Sequence, residues 1–251
     1  MGLFMKIAVI SDIHGNMEAL EAVWEDIKNE GCEKIFALGD YAMAGPEPEE
    51  AINWFMNRDA LDKIVMIQGN TDLMIAEYSN ELYENLRSKA PVMAEALRDD
   101  YLQINPIQRN YLKTLPQQRF ITEEGIKFLL VHGSPRRNNE DILPDTPLLE
   151  VEKMLEGVDA QVVLCGHTHI PCGFQTTTKQ TVVNVGSVGR PFTDEPKSCY
   201  LKITINKSDC VFEHKFIEYN KERASMKLRK RTFIGANKLA NALIDPQLRH
   251  F

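Results

Sequence analysis

Long apolar runs and paired cysteines are both missing from the 251-residue sequence. No run reaches the roughly 18 apolar residues of a membrane helix, and the N-terminal residues lack the basic start and small-residue cleavage site of a secretory signal. The five cysteines form no CxxC pair, which is typical of reduced thiols in a reducing compartment. We therefore expect a cytoplasmic protein that does not contact a membrane.

Basic charge is also scarce, because 29 lysines and arginines stand against 36 aspartates and glutamates, a formal net charge of -7. Binding to extended nucleic acid relies on many basic side chains that neutralise phosphates, so we expect no such partner. Small anionic substrates are compatible with this charge, because bound metal ions reverse the local field inside a cleft.

Strand-like and helix-like segments alternate in the first 67 residues. The predicted strands are Lys6 to Ser11, Lys34 to Leu38 and Lys63 to Ile67, and the predicted helices are Asn16 to Glu30 and Pro48 to Arg58. Such alternation predicts a parallel sheet, whose loops gather at one edge and bind ligands beyond the carboxyl ends of the strands.

Residues from about 73 to 118 contain helix formers and charged residues but no convincing strand, which predicts a helical insertion or cap. An apolar stripe in this cap would serve packing within the chain, our preferred interpretation, or pairing of two copies, so we expect a monomer or a homodimer. The stripe consists of Met74, Ile75, Tyr78, Leu82 and Leu86.

After the cap, strand patterns return, and a helical extension is predicted from about residue 219 to residue 251. We expect a single domain over residues 1–251. The later strand and hairpin patterns cover Arg119 to Ile121, Ile126 to His132, Gln161 to Cys165, Phe174 to Val185 and Cys199 to Phe216, with a helix at about Pro147 to Leu155. A basic cluster in the extension is interpreted as a solvated helix face rather than as a polyanion site. Its members are Lys227, Arg229, Lys230 and Arg231.

Five short segments at the ends of predicted strands carry side chains that bind metal ions. They are Asp12-Ile13-His14, Gly39-Asp40, Gly69-Asn70-Thr71-Asp72, Val131-His132-Gly133 and Gly166-His167-Thr168-His169. Each segment alone is a weak signal, because an Asp often caps a helix and a lone His is commonly structural. Together they place four of the six histidines where the loops of a sheet gather.

Carboxylate, imidazole and amide ligands without thiolate suit divalent manganese, our leading expectation, or iron, zinc, nickel, cobalt or magnesium. A structural zinc site usually contains cysteine. Seven ligands are too many for one tetrahedral site, and they suffice for two ions that share a carboxylate.

The ordered series DxH, GD, GNxD, a later HG and GHTH, spread over residues 12–169, resembles the calcineurin-like metallophosphoesterase superfamily. Within it the chain is similar to the small prokaryotic phosphoesterases of the YfcE type, because an NVGS segment at residues 184–187 follows GHTH. The resemblance implies an α/β fold, a four-layer αββα sandwich of two mixed sheets flanked by helices. It also implies hydrolysis of phosphodiester, phosphomonoester or phosphoanhydride bonds of small molecules or nucleotides through a hydroxide that bridges the two metal ions.

The resemblance also assigns roles by position. It places Asp12, His14 and His169 on a first ion and Asn70, His132 and His167 on a second, with Asp40 shared between them. The catalytic candidates that follow from it are Asn70, Asp72 and Asp40. The candidates for contact with the substrate are Asn16, Thr71 and Arg190.

Thr71 departs from the family pattern, because many members carry there a histidine thought to protonate the leaving oxygen. A threonine hydroxyl has too high a pKa to act as an efficient general acid. We therefore expect leaving groups that need little protonation, such as aryl esters or phosphoanhydrides, or a water held by Asp72 in that role.

The arginine that protein Ser/Thr phosphatases and dinucleoside polyphosphate hydrolases carry after the GD motif is also absent. Arg190, Arg136 and Arg137 are candidate substitutes, because guanidinium suits phosphate recognition. The alternatives to a small-molecule phosphoesterase are a nuclease, one of those two enzyme classes, or a non-catalytic metal-binding scaffold. All seven ligand positions hold residue types that bind metal ions, which favours an enzyme over a scaffold.

Overall fold

The computed structural model describes residues 4–59, 64–207, 209–245 and 248. Two mixed five-stranded sheets form there, with strand orders β10-β9-β1-β2-β3 and β4-β5-β6-β8-β7. The strands are β1 (Met5–Ile10), β2 (Lys34–Ala37), β3 (Val65–Met66), β4 (Gln118–Glu123), β5 (Ile126–Val131), β6 (Val162–Cys165), β7 (Cys172–Gln175), β8 (Thr181–Asn184), β9 (Ser198–Asn206) and β10 (Asp209–Ile217).

Helices cover the outer faces of both sheets. They are α1 (Met17–Glu30), α2 (Pro48–Asp59), α3 (Asn70–Ala76), α4 (Asn80–Lys89), α5 (Pro91–Gln103), α6 (Pro106–Thr114), α7 (Leu148–Met154), α8 (Lys221–Arg229) and α9 (Ala236–Ile244). Among the described residues, every helix is too short or too polar to span a membrane.

Burial that alternates along the strands produces the four layers. Along β1, Ile7 and Val9 point into the core between the two sheets, whereas Ala8 and Ile10 point into the core under the helices. Along β5, Phe128 belongs to the core between the sheets and its neighbour Leu129 to a third core, under α7. Because successive side chains of a strand point to opposite faces, each sheet buries both of its faces. The predicted αββα sandwich is confirmed.

The cap is helical, as expected, and consists of α3 to α6, although it begins at Asn70 rather than at residue 73. Ile75 is fully buried in the core under the helices, and Met74, Tyr78, Leu82 and Leu86 pack against that core. The apolar stripe thus serves packing within the chain. The predicted strand at Lys63 to Ile67 is reduced to two residues of β3, and Lys63 lies outside the described residues.

The predicted C-terminal extension forms α8 and α9, and residues 246, 247 and 249–251 of it lie outside the described residues. Its interpretation as a solvated basic face is wrong for Lys227 and Arg231. The side chain of Arg231 is only 6% exposed and pairs with Asp99 and Asp100. Lys227 pairs with acidic side chains that precede it by about 180 residues or more, Glu18 and Glu47. The spacing of basic residues predicted a solvated helix face because a local sequence pattern does not show acidic partners that are distant in sequence.

Candidate metal centre

The five motifs meet at one edge of the sandwich. Strands β1, β2 and β3 run parallel in the first sheet, and β5 and β6 run parallel in the second. Each motif lies at the carboxyl end of its strand, in loops that gather at that edge. Two groups of closely spaced ligand atoms result.

The first group consists of Asp12, His14 and His169. The Nε2 atoms of His14 and His169 lie 3.1 Å apart. Asp12 Oδ1 lies 3.2 Å from His169 Nε2 and 3.9 Å from His14 Nε2. These are the three residues expected to bind the first ion.

The second group consists of Asp12, Asp40 and His132. Asp40 Oδ2 lies 3.4 Å from His132 Nε2 and also 3.9 Å from His14 Nε2 in the first group. Asn70 Oδ1 joins the second group, at 3.0 Å from His132 Nε2. The carboxylate of Asp40 therefore lies between the two groups, where a shared ligand is expected.

Two features differ from the assignment by position. Asp12 belongs to both groups of ligand atoms, whereas it was expected at the first ion alone. His167 belongs to neither group, although its ring centroid lies 5.3 Å from that of His132. Its Nε2 atom lies instead 3.3 Å from Asp141 Oδ1, a carboxylate with a 62% exposed side chain. The role of His167 as a ligand stays a prediction.

Backbone carbonyls fix the orientation of three imidazoles. His14 Nδ1 lies 2.7 Å from Met43 O, His132 Nδ1 lies 2.7 Å from Leu38 O, and His169 Nδ1 lies 2.6 Å from Arg190 O. A carbonyl oxygen only accepts hydrogen bonds, so Nδ1 carries the proton in each ring. Nε2 is therefore the atom that each ring directs at the ligand groups, as metal-binding histidines do.

The electrostatics of the two groups are uneven in the metal-free chain. Burial would lower the pKa of His132, but the charges of Asp40 and Asp12 raise it to about 10. Burial and the neighbouring charge of His169 lower the pKa of His14 to about 4. The carboxylates near His132 therefore favour a positive charge at that position.

Backbone strain concentrates in the motifs. Nine non-glycine residues with positive φ occur in the described ranges, and five of them are predicted ligands: Asp12, His14, Asp40, His167 and His169. A left-handed backbone at such residues costs about 1–3 kcal/mol each and persists where the surroundings enforce it, typically at functional sites.

Gly69 permits close approach of the GN and GD motifs. A Cβ atom at Gly69 would lie 2.1 Å from Asp40 Oδ1 and 2.4 Å from Asp40 N. The Thr71 amide next to this contact donates to Asp40 Oδ1 at 2.9 Å. Only glycine fits at position 69 without displacing the carboxylate that lies between the two groups.

Asp72 ties the same two loops together. Its Oδ2 accepts hydrogen bonds from the amides of Gly69 and Asp40, both at 2.8 Å, and its Oδ1 accepts from Tyr41 N at 2.9 Å. The side chain is fully buried. Asp72 therefore positions the loops, and its expected role in holding a catalytic water stays a prediction.

Asn16 was expected to contact the substrate, and the structure contradicts this. Its Oδ1 accepts from Ala19 N at the start of α1, and its Nδ2 donates to Gly189 O at 2.8 Å. The residue is 0% exposed. Asn16 is a helix cap and a loop anchor, whose amide has no exposed atom for a substrate.

Thr71 and Arg190 are placed differently. The Thr71 hydroxyl is buried and has no hydrogen-bond partner among the described residues. The Arg190 guanidinium lies 3.6 Å from Met93 Sδ of the cap and 5.8 Å from the Phe192 ring centroid, and its charge contributes to the lowered pKa of His14. The position of Arg190 is compatible with the expected contact to a substrate, whereas the Thr71 hydroxyl is inaccessible in this structure and its contact stays a prediction.

Arg136 and Arg137 both pair with Glu140, at 2.7 and 2.9 Å. Their ion pairs hold the loop after His132 together, and nothing brings either guanidinium into the two ligand groups. Arg190 is thus the remaining candidate among the three arginines.

Sequence reasoning missed the groups that orient the ligands. The carbonyls of Leu38 and Met43 have no sequence signal, since every residue has a carbonyl. Asn184 was noted only for its place in the NVGS segment, yet its Nδ2 donates to Gly166 O at 2.7 Å and to Thr168 Oγ1 at 2.9 Å, which holds the GHTH loop.

Comparisons with known proteins found a matching family model and a similar sequence. A family model described as the calcineurin-like phosphoesterase superfamily domain matches residues 5–208. An uncharacterized protein of Methanocaldococcus jannaschii, MJ0912, is 29% identical over 244 residues, which cover 89% of this chain and 92% of the relative.

Solved structures share the fold. The hypothetical protein PH1004 from Pyrococcus horikoshii OT3 has a TM-score of 0.83 at 24% identity, covering 96% of this chain and 98% of the other. A metallophosphoesterase from Sphaerobacter thermophilus has a TM-score of 0.75 at 23% identity, covering 96% and 99%. The matched structures also include the phosphoesterase YfcE from E. coli, at 20% identity and a TM-score of 0.48 over 85% of this chain and all of that one.

Proposed function

Since the chain belongs to the calcineurin-like phosphoesterase superfamily, as the match over residues 5–208 shows, we propose that it hydrolyses phosphate esters with two divalent metal ions. One observation carries this proposal. Asp40 Oδ2 lies between two imidazole nitrogens, 3.9 Å from His14 Nε2 and 3.4 Å from His132 Nε2. A carboxylate so placed suits a ligand shared by two cations.

The residues present fit such ions. Asp12 Oδ1 is a buried carboxylate oxygen for which the described residues supply no hydrogen bond of acceptable geometry. A buried charge is costly unless it is paired or coordinates a metal. The imidazole, carboxylate and amide donors suit manganese first, and also iron, zinc, nickel, cobalt or magnesium. When bound, such ions supply a lowered pKa for coordinated water and stabilise negative charge on the phosphoryl group.

The chain's own residues would bind and orient the ester. Arg190 provides a guanidinium beside the first group, which suits the non-bridging oxygens of a phosphate. Thr71 provides a buried hydroxyl next to Asp40. This hydroxyl would donate a hydrogen bond to the ester, but it does not transfer a proton to the leaving group at neutral pH. We infer a preference for aryl esters and phosphoanhydrides of small molecules or nucleotides over esters of alkyl alcohols.

A metal-dependence assay tests the proposal. Metal is removed with a chelator, and each of the six cations is added back before assay with aryl phosphate mono- and diesters and dinucleoside polyphosphates. We expect turnover that requires added metal and that Asp40→Asn reduces by orders of magnitude. Turnover that survives chelation or Asp40→Asn, or no turnover with any cation, would overturn the proposal. Glu124→Gln, at an exposed turn outside the motifs, serves as the matched control.

A further inference from the structure

The loop of residues 41–47 fixes the position of His14. It runs from Asp40 to the start of α2, and its residue Met43 provides the carbonyl that accepts from His14 Nδ1. Gly45 packs directly on the backbone of His14, since a Cβ atom there would lie 1.4 Å from His14 O. A displacement of this loop therefore displaces the His14 ring.

The loop does not hold its shape by local contacts alone. Ala44 has a left-handed backbone, with φ of 65°. Such a conformation costs a non-glycine residue about 1–3 kcal/mol unless the surroundings enforce it. Backbone hydrogen bonds of Gly15 with Tyr41 and Glu47 hold the two ends of the loop, and a contact from elsewhere in the chain supports its middle, next to Met43.

Two charged residues from distant segments provide that contact. Asp100 Oδ2, on cap helix α5, accepts from Ala44 N at 2.8 Å. Arg231 Nη1, in the C-terminal extension, donates to Gly45 O at 2.7 Å, and its Nη2 donates to Asp100 Oδ1 at 2.7 Å. Asp99 accepts two further hydrogen bonds from the same guanidinium. We call Arg231, Asp99 and Asp100 the Arg231 clamp.

Burial and charge suggest that the Arg231 clamp does more than stabilise the fold. Asp100 is 0% exposed and the side chain of Arg231 is 6% exposed. A buried ion pair adds little net stability, because loss of hydration offsets the attraction. The planar fork of a guanidinium does fix geometry, since its hydrogen bonds are directional. Arg231 also lies beyond residues 5–208, the part that matches the family.

We propose that Arg231 and Asp100 are positioning residues for the first metal ion: by holding the loop of residues 41–47, they set the Met43 carbonyl and thereby the His14 ring. The inference rests on the proposed function in one respect, that His14 binds a metal ion. The second group shares Asp12 with the first, but its His132 ring is oriented by Leu38 O, which lies outside the loop that the clamp holds. Loss of the clamp should therefore lower the affinity for the first ion and leave the affinity for the second ion unchanged.

Metal titration of the full-length protein tests this inference. Manganese binding to metal-free wild type, Arg231→Gln and Asp100→Asn is measured by calorimetry, and manganese EPR distinguishes paired from single ions. We expect Arg231→Gln to weaken one ion by about 10- to 100-fold, the range for residues that orient metal ligands. The other ion should keep its affinity, and anomalous scattering should place it beside Asn70 and His132.

Two further variants separate positioning from general stability. Arg229→Gln removes an exposed arginine that contacts Asn241 in α9, outside the clamp, and should bind both ions normally. Arg231→Lys keeps a positively charged donor but lacks the planar guanidinium, so it should lower the affinity for the first ion less than Arg231→Gln does. It also takes the place of Arg231→Gln if that variant does not fold.

The outcomes are distinguishable. Wild-type binding of both ions by Arg231→Gln, or equal weakening of both ions, would overturn the positioning role and leave the proposed function intact. Failure of the wild type to bind two ions would overturn both.

Discussion

His14 and His169 face each other through their Nε2 atoms at 3.1 Å, while each ring directs Nδ1 at a backbone carbonyl. With both Nδ1 atoms protonated, two lone pairs point at one another in a buried site. That arrangement is repulsive unless a positive charge lies between the rings or beside them. Asp12 Oδ1 is close to both nitrogens and adds a negative charge. A cation satisfies all three atoms, which explains why a buried cluster of this kind is compatible with a stable fold.

Thr71 yields a prediction about leaving groups. Because its hydroxyl does not supply a proton, rates should fall steeply as the pKa of the leaving alcohol rises across a series of aryl and alkyl esters. Thr71→His should flatten that dependence by raising the rates of the poorest leaving groups. Thr71→Ser, which keeps a hydroxyl, is the control and should retain the steep slope. A flat dependence in the wild type would contradict the prediction.

The core between the sheets yields a prediction about stability. Phe36 is fully buried there and packs edge-on against Phe128, with ring centroids 6.2 Å apart. Phe36→Ala should lower the free energy of unfolding by about 3–5 kcal/mol, because it leaves a cavity in a packed core. Phe120→Ala, at a residue that is 52% exposed on edge strand β4, is the matched control and should cost far less. Urea denaturation of the metal-free proteins measures both, and equal losses would argue against the placement of Phe36.

An ion-pair network between α1 and the first sheet yields a prediction about pH. Hydrogen bonds from Lys215 and Lys202 lower the pKa of Glu30 from its ordinary value of 4.5 to about 2. A carboxyl with a lowered pKa in the folded state stabilises it above the unfolded-state pKa, and that contribution is lost as pH falls from about 4.5 to about 2.

Unfolding midpoints of wild type and Glu30→Gln should therefore differ at pH 7, and the difference should shrink below pH 4.5 and disappear at about pH 2. Glu25→Gln, which removes an exposed carboxylate from the same helix, should show little difference at either pH. A gap between wild type and Glu30→Gln that is constant with pH would mean that Glu30 is not perturbed by these lysines.

Much of the fold follows from local patterns in the sequence. The strand predicted at residues 6–11 and the helix predicted at residues 16–30 form within one residue of those bounds, because a β-branched apolar run and apolar residues at helical spacing mark buried elements. The cap was predicted as helical for the same reason. The short length of β3 was not predicted, because an apolar run indicates burial but does not show how many of its residues pair with the neighbouring strand.

The candidate site divides in the same way. The ligand residues were predicted because their chemical types recur at strand ends. Asn16 was assigned wrongly, because a polar side chain beside a motif looks the same in sequence whether it faces a substrate or a backbone group. Arg231 was misread for a related reason: its partner Asp100 lies 131 residues away.

The number of metal ions per chain tests the proposal that two ligand groups share Asp40. Metal-free protein is saturated with manganese, and bound metal is quantified by elemental analysis alongside EPR. We expect two ions per chain with the spectrum of a coupled pair, and one uncoupled ion after His169→Ala, while His214→Gln, at a histidine outside the motifs, keeps both. A single ion in the saturated wild type, or two uncoupled ions, would contradict the shared centre.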